Sequence, residues 1–279
     1  MRYQPLFEHV HRLPSIPGVV AELIASLDDD RASIQQVSAN IRKDPGLSLK
    51  LLRAANSVRY GVGRNVASID DAILLLGFER VRTLVIASGM VGVIEHVPGL
   101  DRRAFWKRSF TVANLARAIV RHSRVGGLSP ETAFTCGILH HVGSALMHIA
   151  HPEVMARIDS LVAQGAPRSE LESSQFGYTF SEVGAELGRR WRFPETICRA
   201  LTYQSAPLEA EPFSPYAAAV HLAIGIDRDV ANGQREEHAL GEMPRDVRRP
   251  LALDLLALYE ESVSSLRGDD ELDVFLGKA

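Results

Sequence analysis

Two adjacent histidines, His140 and His141, lie inside the apolar run Cys136-Gly137-Ile138-Leu139-His140-His141-Val142-Gly143-Ser144-Ala145-Leu146-Met147-His148. Imidazoles are the side chains best suited to hold a divalent metal or move a proton near neutral pH. Neighbouring helix positions point about 100° apart, so both rings serve one centre only where it lies between their directions, in a cleft lined by other helices. His148 and His151 share a helix face at i, i+3 and could extend such a centre. Cys136 stands four residues before His140, a spacing at which a thiol and a base can meet, but with no third orienting group packing explains the pair better. The sequence has no Gly-x-Ser-x-Gly elbow, no phosphate-cradling glycine loop with lysine and no zinc-spaced cysteine pair.

Helices must position these residues. Ser129-Pro130 supplies an N-cap and a first-turn proline, so the histidine run reads as the body of one buried helix. Apolar rows from Ile16 to Leu27 predict a first helix, Ser33 opens a second, and Asp44-Pro45-Gly46 stops that one and starts a third, whose buried stripe is Leu47, Leu51, Leu52 and Ala55. Asn56 closes the third helix and satisfies nearby backbone groups. Ser68 to Asp71 has capping-box spacing, Gly77 ends the next helix, and residues 81–93 form an apolar helix. Pro98-Gly99 marks the boundary of a second lobe. That lobe opens with a long helix over about 101–122, broken by Gly126-Gly127. Pro152 restarts the chain after the histidine helix, Ser169 and Glu172 offer another capping box, and helices follow over 181–191 and 194–203. Beyond a proline-punctuated connector at 207–215, helices are expected over 216–229 and 251–259, with a polar loop over 233–249. No alternating strand appears, so the fold class is all-α.

Several segments in order carry a resemblance. Leu139-His140-His141-Val142-Gly143 resembles the Leu-His-Asp-Ile-Gly core of the HD metal-dependent phosphohydrolases. Leu13-Pro14-Ser15-Ile16-Pro17, Asp44-Pro45-Gly46-Leu47, Leu51-Leu52-Arg53-Ala54-Ala55-Asn56-Ser57 and Ala72-Ile73-Leu74-Leu75-Leu76-Gly77 resemble the opening half of the HDOD family. That family is an HD-related branch described as regulatory and without catalytic activity. The resemblance implies an HD-like helical bundle over 98–207, an N-terminal helical lobe over 13–97, and a C-terminal helical extension over 208–279.

An HD hydrolase needs a divalent metal that lowers the pKa of bound water from near 16 to about 7. By resemblance, the first histidine ligand would stand where this chain has Arg108, a cation with donors only. His140 matches the family's histidine, while His141 replaces its aspartate. Phe180 occupies a further histidine position, Gln204 and Ser205 stand where two more would be, and Ile224 falls where a last acid is expected. One matching ligand cannot hold Mg²⁺, Mn²⁺ or Fe²⁺ tightly, so no metal, cofactor or catalytic residue is expected. Gly177-Tyr178-Thr179 lacks the proline of the HD-GYP phosphodiesterases. The residues Arg108, His140, His141, Phe180, Gln204 and Ser205 remain as a vestigial cleft. Arg108 with the two histidines would make it cationic and donor-rich, fit for an anionic small ligand, unless Arg108 pairs internally with Glu172 or Glu182.

Composition narrows the role. A chain of 279 residues that is 46% hydrophobic can bury one substantial core or two modest ones. Its net charge of -3 gives no general attraction to nucleic acid or anionic lipid, so any such binding has to be local. The modest cluster Arg42, Lys43, Lys50, Arg53, Arg59 and Arg64 is the local candidate for nucleic acid, and a solvated helix face explains it equally well. Cys136 and Cys198, the only cysteines, fit free thiols in a reducing compartment. No signal core or membrane span is legible, which makes a cytoplasmic, bacterial-type signalling protein the expectation. The reading is a non-catalytic regulatory scaffold that binds another signalling protein, with a residual phosphohydrolase or a nucleic-acid-binding regulator as alternatives.

Overall fold

The computed structural model describes residues 3–9, 20, 33–56, 66–94 and 97–261. Their regular structure is helical, and the only β-type pairing among them is an isolated antiparallel bridge between Ser123 and Leu253. The chain divides into two compact units, the division falling between Val93 and Ile94. The helix expected over Ile16 to Leu27 lies outside the described residues apart from residue 20.

In the first unit in chain order, residues 33–93, the helices are α2 (Ile34–Ile41), α3 (Pro45–Ala55), α4 (Ile69–Leu76) and the body of α5 (Phe78–Ile94). Their ends follow the sequence signals. Ser33 caps α2 in a capping box with Gln36, and Asp44 caps α3 with Pro45 at its first position. The Ser68 side chain accepts the Asp71 N–H, and Gly77 takes the positive φ of 78° that ends α4. Asn56 satisfies backbone as expected: its amide donates to the carbonyls of Leu52 and Val66, each at 2.8 Å, and its oxygen accepts the Val66 N–H at 2.7 Å. Val37, Ile41, Leu47, Leu51, Ile69 and Ile73 fill the interior. Arg42 of the basic cluster is tied to Asp70, and Arg59 and Arg64 lie outside the described residues.

The second unit comprises α1 (Gln4–His9) and the helices from residue 94 onward. These are α6 (Arg102–Arg121), α7 (Pro130–Leu139), α8 (Val142–Ala150), α9 (Pro152–Ala163), α10 (Arg168–Phe176), α11 (Phe180–Arg190), α12 (Glu195–Tyr203) and α13 (Pro215–Ala231), then the short α14 (Glu236–Gly241), α15 (Arg245–Arg248) and α16 (Leu255–Glu260). Close approach of α6 and α7 explains Gly137, where a Cβ would sit 2.4 Å from the Ala113 Cα. Buried Arg117 lays its guanidinium 3.8 Å from the Phe134 ring centre across the same contact. Tyr3, just before α1, packs edge-on to Tyr178, which stacks on Phe176.

Three sequence expectations are corrected here. The supposed capping box at Ser169 and Glu172 is absent, because α10 starts at Arg168 after Pro167 and Glu172 is consumed by tertiary partners inside the core. The stretch expected to loop, 233–249, holds α14 and α15, anchored by buried Ala239, Leu240 and Val247. The last helix starts at Leu255, four residues later than the apolar pattern suggests, because Ser123 bridges to Leu253 and Asp254 serves as the N-cap.

Candidate functional site

The histidine stretch is not one helix. α7 ends at Leu139 and α8 begins at Val142, leaving His140 and His141 as the corner between them. Three contacts hold the corner. The His140 backbone N–H and its Nδ1–H both point at the Gly137 carbonyl, the latter at 2.7 Å. The His140 carbonyl, released from the helical ladder, accepts the Gln204 amide at 2.9 Å. Gly143 seats α8 on α11 so closely that a Cβ there would lie 2.0 Å from the Phe180 carbonyl oxygen. Since the chain turns between them, the two rings are stacked, 5.5 Å apart and 18° between planes, and do not fan out as on a helix.

Aromatic groups fill the space around His141. Phe105 of α6 stacks on its ring at 5.9 Å, and Phe180 at the start of α11 meets it edge-on at 5.2 Å. Arg108 Nε donates to Asp227 Oδ2 on α13 at 3.1 Å. The expected partners of Arg108, Glu172 and Glu182, are corrected to this aspartate. Glu172 is taken by Arg168 and the Phe180 N–H, and Glu182 by the Thr179 cap. Asp227 lies three residues beyond Ile224, nearly one helical turn, and that offset was the one sequence signal for it.

Gln204 is buried, and its amide also donates to the Leu201 carbonyl at 3.1 Å, which fixes its Oε1 as an acceptor with no partner among the described residues. Ser205 is exposed and shares a hydrogen bond of 3.0 Å with buried Ser181. His140, His141, Phe180 and Gln204 therefore come together with Arg108 beside them. Ser205 stands at the surface.

A polar relay, buried at His148 and Glu172 and partly exposed at Asp159 and Arg168, escaped sequence reasoning. His148 Nδ1 lies 2.8 Å from the Ser144 carbonyl and its Nε2 2.7 Å from Asp159. Arg168 joins Asp159 to fully buried Glu172, whose other oxygen accepts the Phe180 N–H at 2.7 Å. Burial pushes the Glu172 carboxyl up, while the Phe180 N–H and Arg168 pull it back. His151 stacks on Phe176 at 5.0 Å and takes no part, so His148 and His151 do not converge.

Electrostatics set the character of the cleft. Burial, reinforced by Arg108, lowers His140 to about 3 against the helping pull of the Gly137 carbonyl. Burial also holds His141 well below the usual imidazole range, with repulsion from His140, Arg168 and Arg108 adding to it. Both rings are neutral, and Asp227 offsets the charge of half-exposed Arg108 through its Nε. The thiols are raised by burial, Cys198 to about 11, and Cys136 is fully enclosed with its neighbour His140 engaged elsewhere. For a metal the donor set does not fit. His140 keeps one lone pair, Asp227 is held by Arg108, and Asp159 is held by His148 and Arg168. Among the described residues no group of three or more His, Cys, Asp or Glu side chains is placed to share an ion.

The HDOD domain model matches residues 13–207. The chain belongs to the HDOD domain family. A Shewanella amazonensis SB2B protein, provisionally named a phosphohydrolase, is 33% identical with a TM-score of 0.81, and the match covers 98% of each chain. An HDOD domain protein with unknown function from Geobacter sulfurreducens shares the fold at 23% identity and a TM-score of 0.80, over 98% of this chain and 97% of that one. A Marinobacter aquaeolei VT8 protein, provisionally named for signal transduction, also shares it, at 22% identity and a TM-score of 0.78, over 99% of this chain and 60% of that one. An uncharacterized protein of Treponema pallidum (strain Nichols) is 22% identical over 218 residues, 77% of this chain and 42% of that protein, so the chain spans less than half of that relative. Among the described residues of this HDOD protein, no helix is long and apolar enough to cross a membrane.

Proposed function

We propose that this HDOD protein is a non-catalytic regulatory scaffold that acts by binding another protein. One observation carries the reading: where an HD hydrolase gathers metal ligands, His141 is flanked by the rings of Phe105, His140 and Phe180, and Arg108 pairs through Nε with Asp227. A phosphoryl substrate needs charge placed opposite its oxygens and room for a nucleophilic water. Two neutral imidazoles packed against phenylalanines offer neither. The surrounding bundle keeps its close helix contacts through Gly137 and Gly143, which suits a framework whose surfaces do the work.

The provisional name of the Shewanella relative favours a second reading, residual phosphodiesterase activity. The deciding assay incubates the full chain with Mn²⁺, Fe²⁺, Ni²⁺ or Zn²⁺ and bis-p-nitrophenyl phosphate or a cyclic dinucleotide. The expected result is no turnover above the metal-only blank. Turnover abolished by His140→Ala would establish the second reading instead.

A further inference from the structure

Among the described residues, α1 and the Tyr3 before it are the one part of the second unit that is not continuous in sequence with the rest of it. The chain after α1 goes on to build the first unit, and the second resumes only at Ile94. Contacts, not neighbouring backbone, therefore seat this segment. It also lies ahead of the HDOD match, which begins at residue 13. With six residues α1 is well short of the roughly 12 that an isolated helix needs in water, so it is helical because it is docked.

The seat is built of rings and one cation. α1 lies against α8, with Leu6 and Phe7 buried at 4% and 5% exposure. Arg190 at the end of α11 lays its guanidinium 4.3 Å from the Phe7 ring centre, and its Nε donates to Glu186 at 3.0 Å, which holds it there. Tyr3, four residues before Phe7, meets that ring at 6.3 Å and Tyr178 at 6.2 Å, both edge-on. The series continues past Tyr178 to Phe176 at 5.6 Å and from there to His151 at 5.0 Å. The segment brings two of these rings, and the other three belong to the HDOD domain. An aromatic pair at i, i+4, a buried leucine between them and a cation over one ring are the anchors of helix-in-groove recognition.

Resting on the scaffold reading above, we infer that the face formed by α8, Tyr178 and Arg190 is a docking site for a short aromatic helix, and that residues 3–9 fill it in cis as a releasable plug. A partner segment with tyrosine and phenylalanine four positions apart competes for the same seat, so the plug sets when the domain can be bound.

The test uses fluorescence anisotropy with the full chain and a labelled synthetic peptide of residues 1–10. The wild type, its seat filled, binds the peptide weakly. The full-chain variant Leu6→Asp, Phe7→Asp releases its own segment and binds the peptide about tenfold tighter or more. Phe7→Ala opens the seat to a lesser degree and serves where circular dichroism shows that the aspartates disrupt the fold. A peptide carrying Phe7→Asp does not bind, and Arg190→Gln in the opened chain weakens the unaltered peptide about fivefold. Equal binding to the wild type and the opened chain, or no binding to a folded opened chain, would overturn the inference. A wild-type dimer in sedimentation that Leu6→Asp, Phe7→Asp dissolves would overturn it too, by placing α1 on a second copy. The phosphodiesterase assay decides the scaffold reading separately, so failure here in a chain without turnover removes the plug and leaves the scaffold.

Discussion

His140 keeps its proton on Nδ1 because the Gly137 carbonyl accepts it at 2.7 Å, and burial denies it a second one until about pH 3. The unfolded chain takes up that proton near pH 6.5, so stability present above this value is lost as the pH falls toward 3, by up to about 1.4 kcal/mol per pH unit. Urea midpoints measured at pH 7 and pH 5 should therefore fall with acidification, and His140→Asn should flatten the slope; an unchanged slope would place the titration elsewhere. The relay supplies a second expectation. Arg168→Ala strands Glu172, which is fully buried, and should cost about 3–5 kcal/mol in equilibrium unfolding. The double variant Arg168→Ala, Glu172→Gln should recover part of that loss, because the uncompensated charge is gone.

Between helices, the decisive feature is contact distance. A Cβ at Gly143 would overlap the Phe180 carbonyl oxygen at 2.0 Å and the Gly184 nitrogen at 2.5 Å, so Gly143→Ala should destabilise by about 1–3 kcal/mol or more. Gly184→Ala, whose nearest neighbour is 3.4 Å away, should be far milder in the same thermal melt. The helices themselves were largely legible: Ser33, Asp44, Ser68 and Ser129 cap as their types predict, and α6 and α13 lie close to their expected spans. The corner at His140 was not, since it depends on Gln204, 64 residues away, capturing a carbonyl. The false capping box at Ser169 failed for the same kind of reason, as Glu172 found Arg168 and the Phe180 N–H inside the core. Local pattern reports where a helix is allowed, and tertiary hydrogen bonds decide where one stops.

Across the whole molecule, the HDOD match extends over both compact units, while the residues that would do chemistry lie in the second unit alone. Sequence singled out six positions but not their state: Arg108 is paired with Asp227, the histidines are neutral, and Ser205 stands apart. None of this can be inferred from residue types, because protonation and pairing depend on what burial brings alongside. The central claim, that the ancestral cleft has become packing, is tested most directly by isothermal titration of the metal-stripped full chain with Mn²⁺ and Ni²⁺. No saturable heat at stoichiometric metal is predicted for either ion. One or two equivalents bound tightly, and lost in His140→Ala, would contradict it.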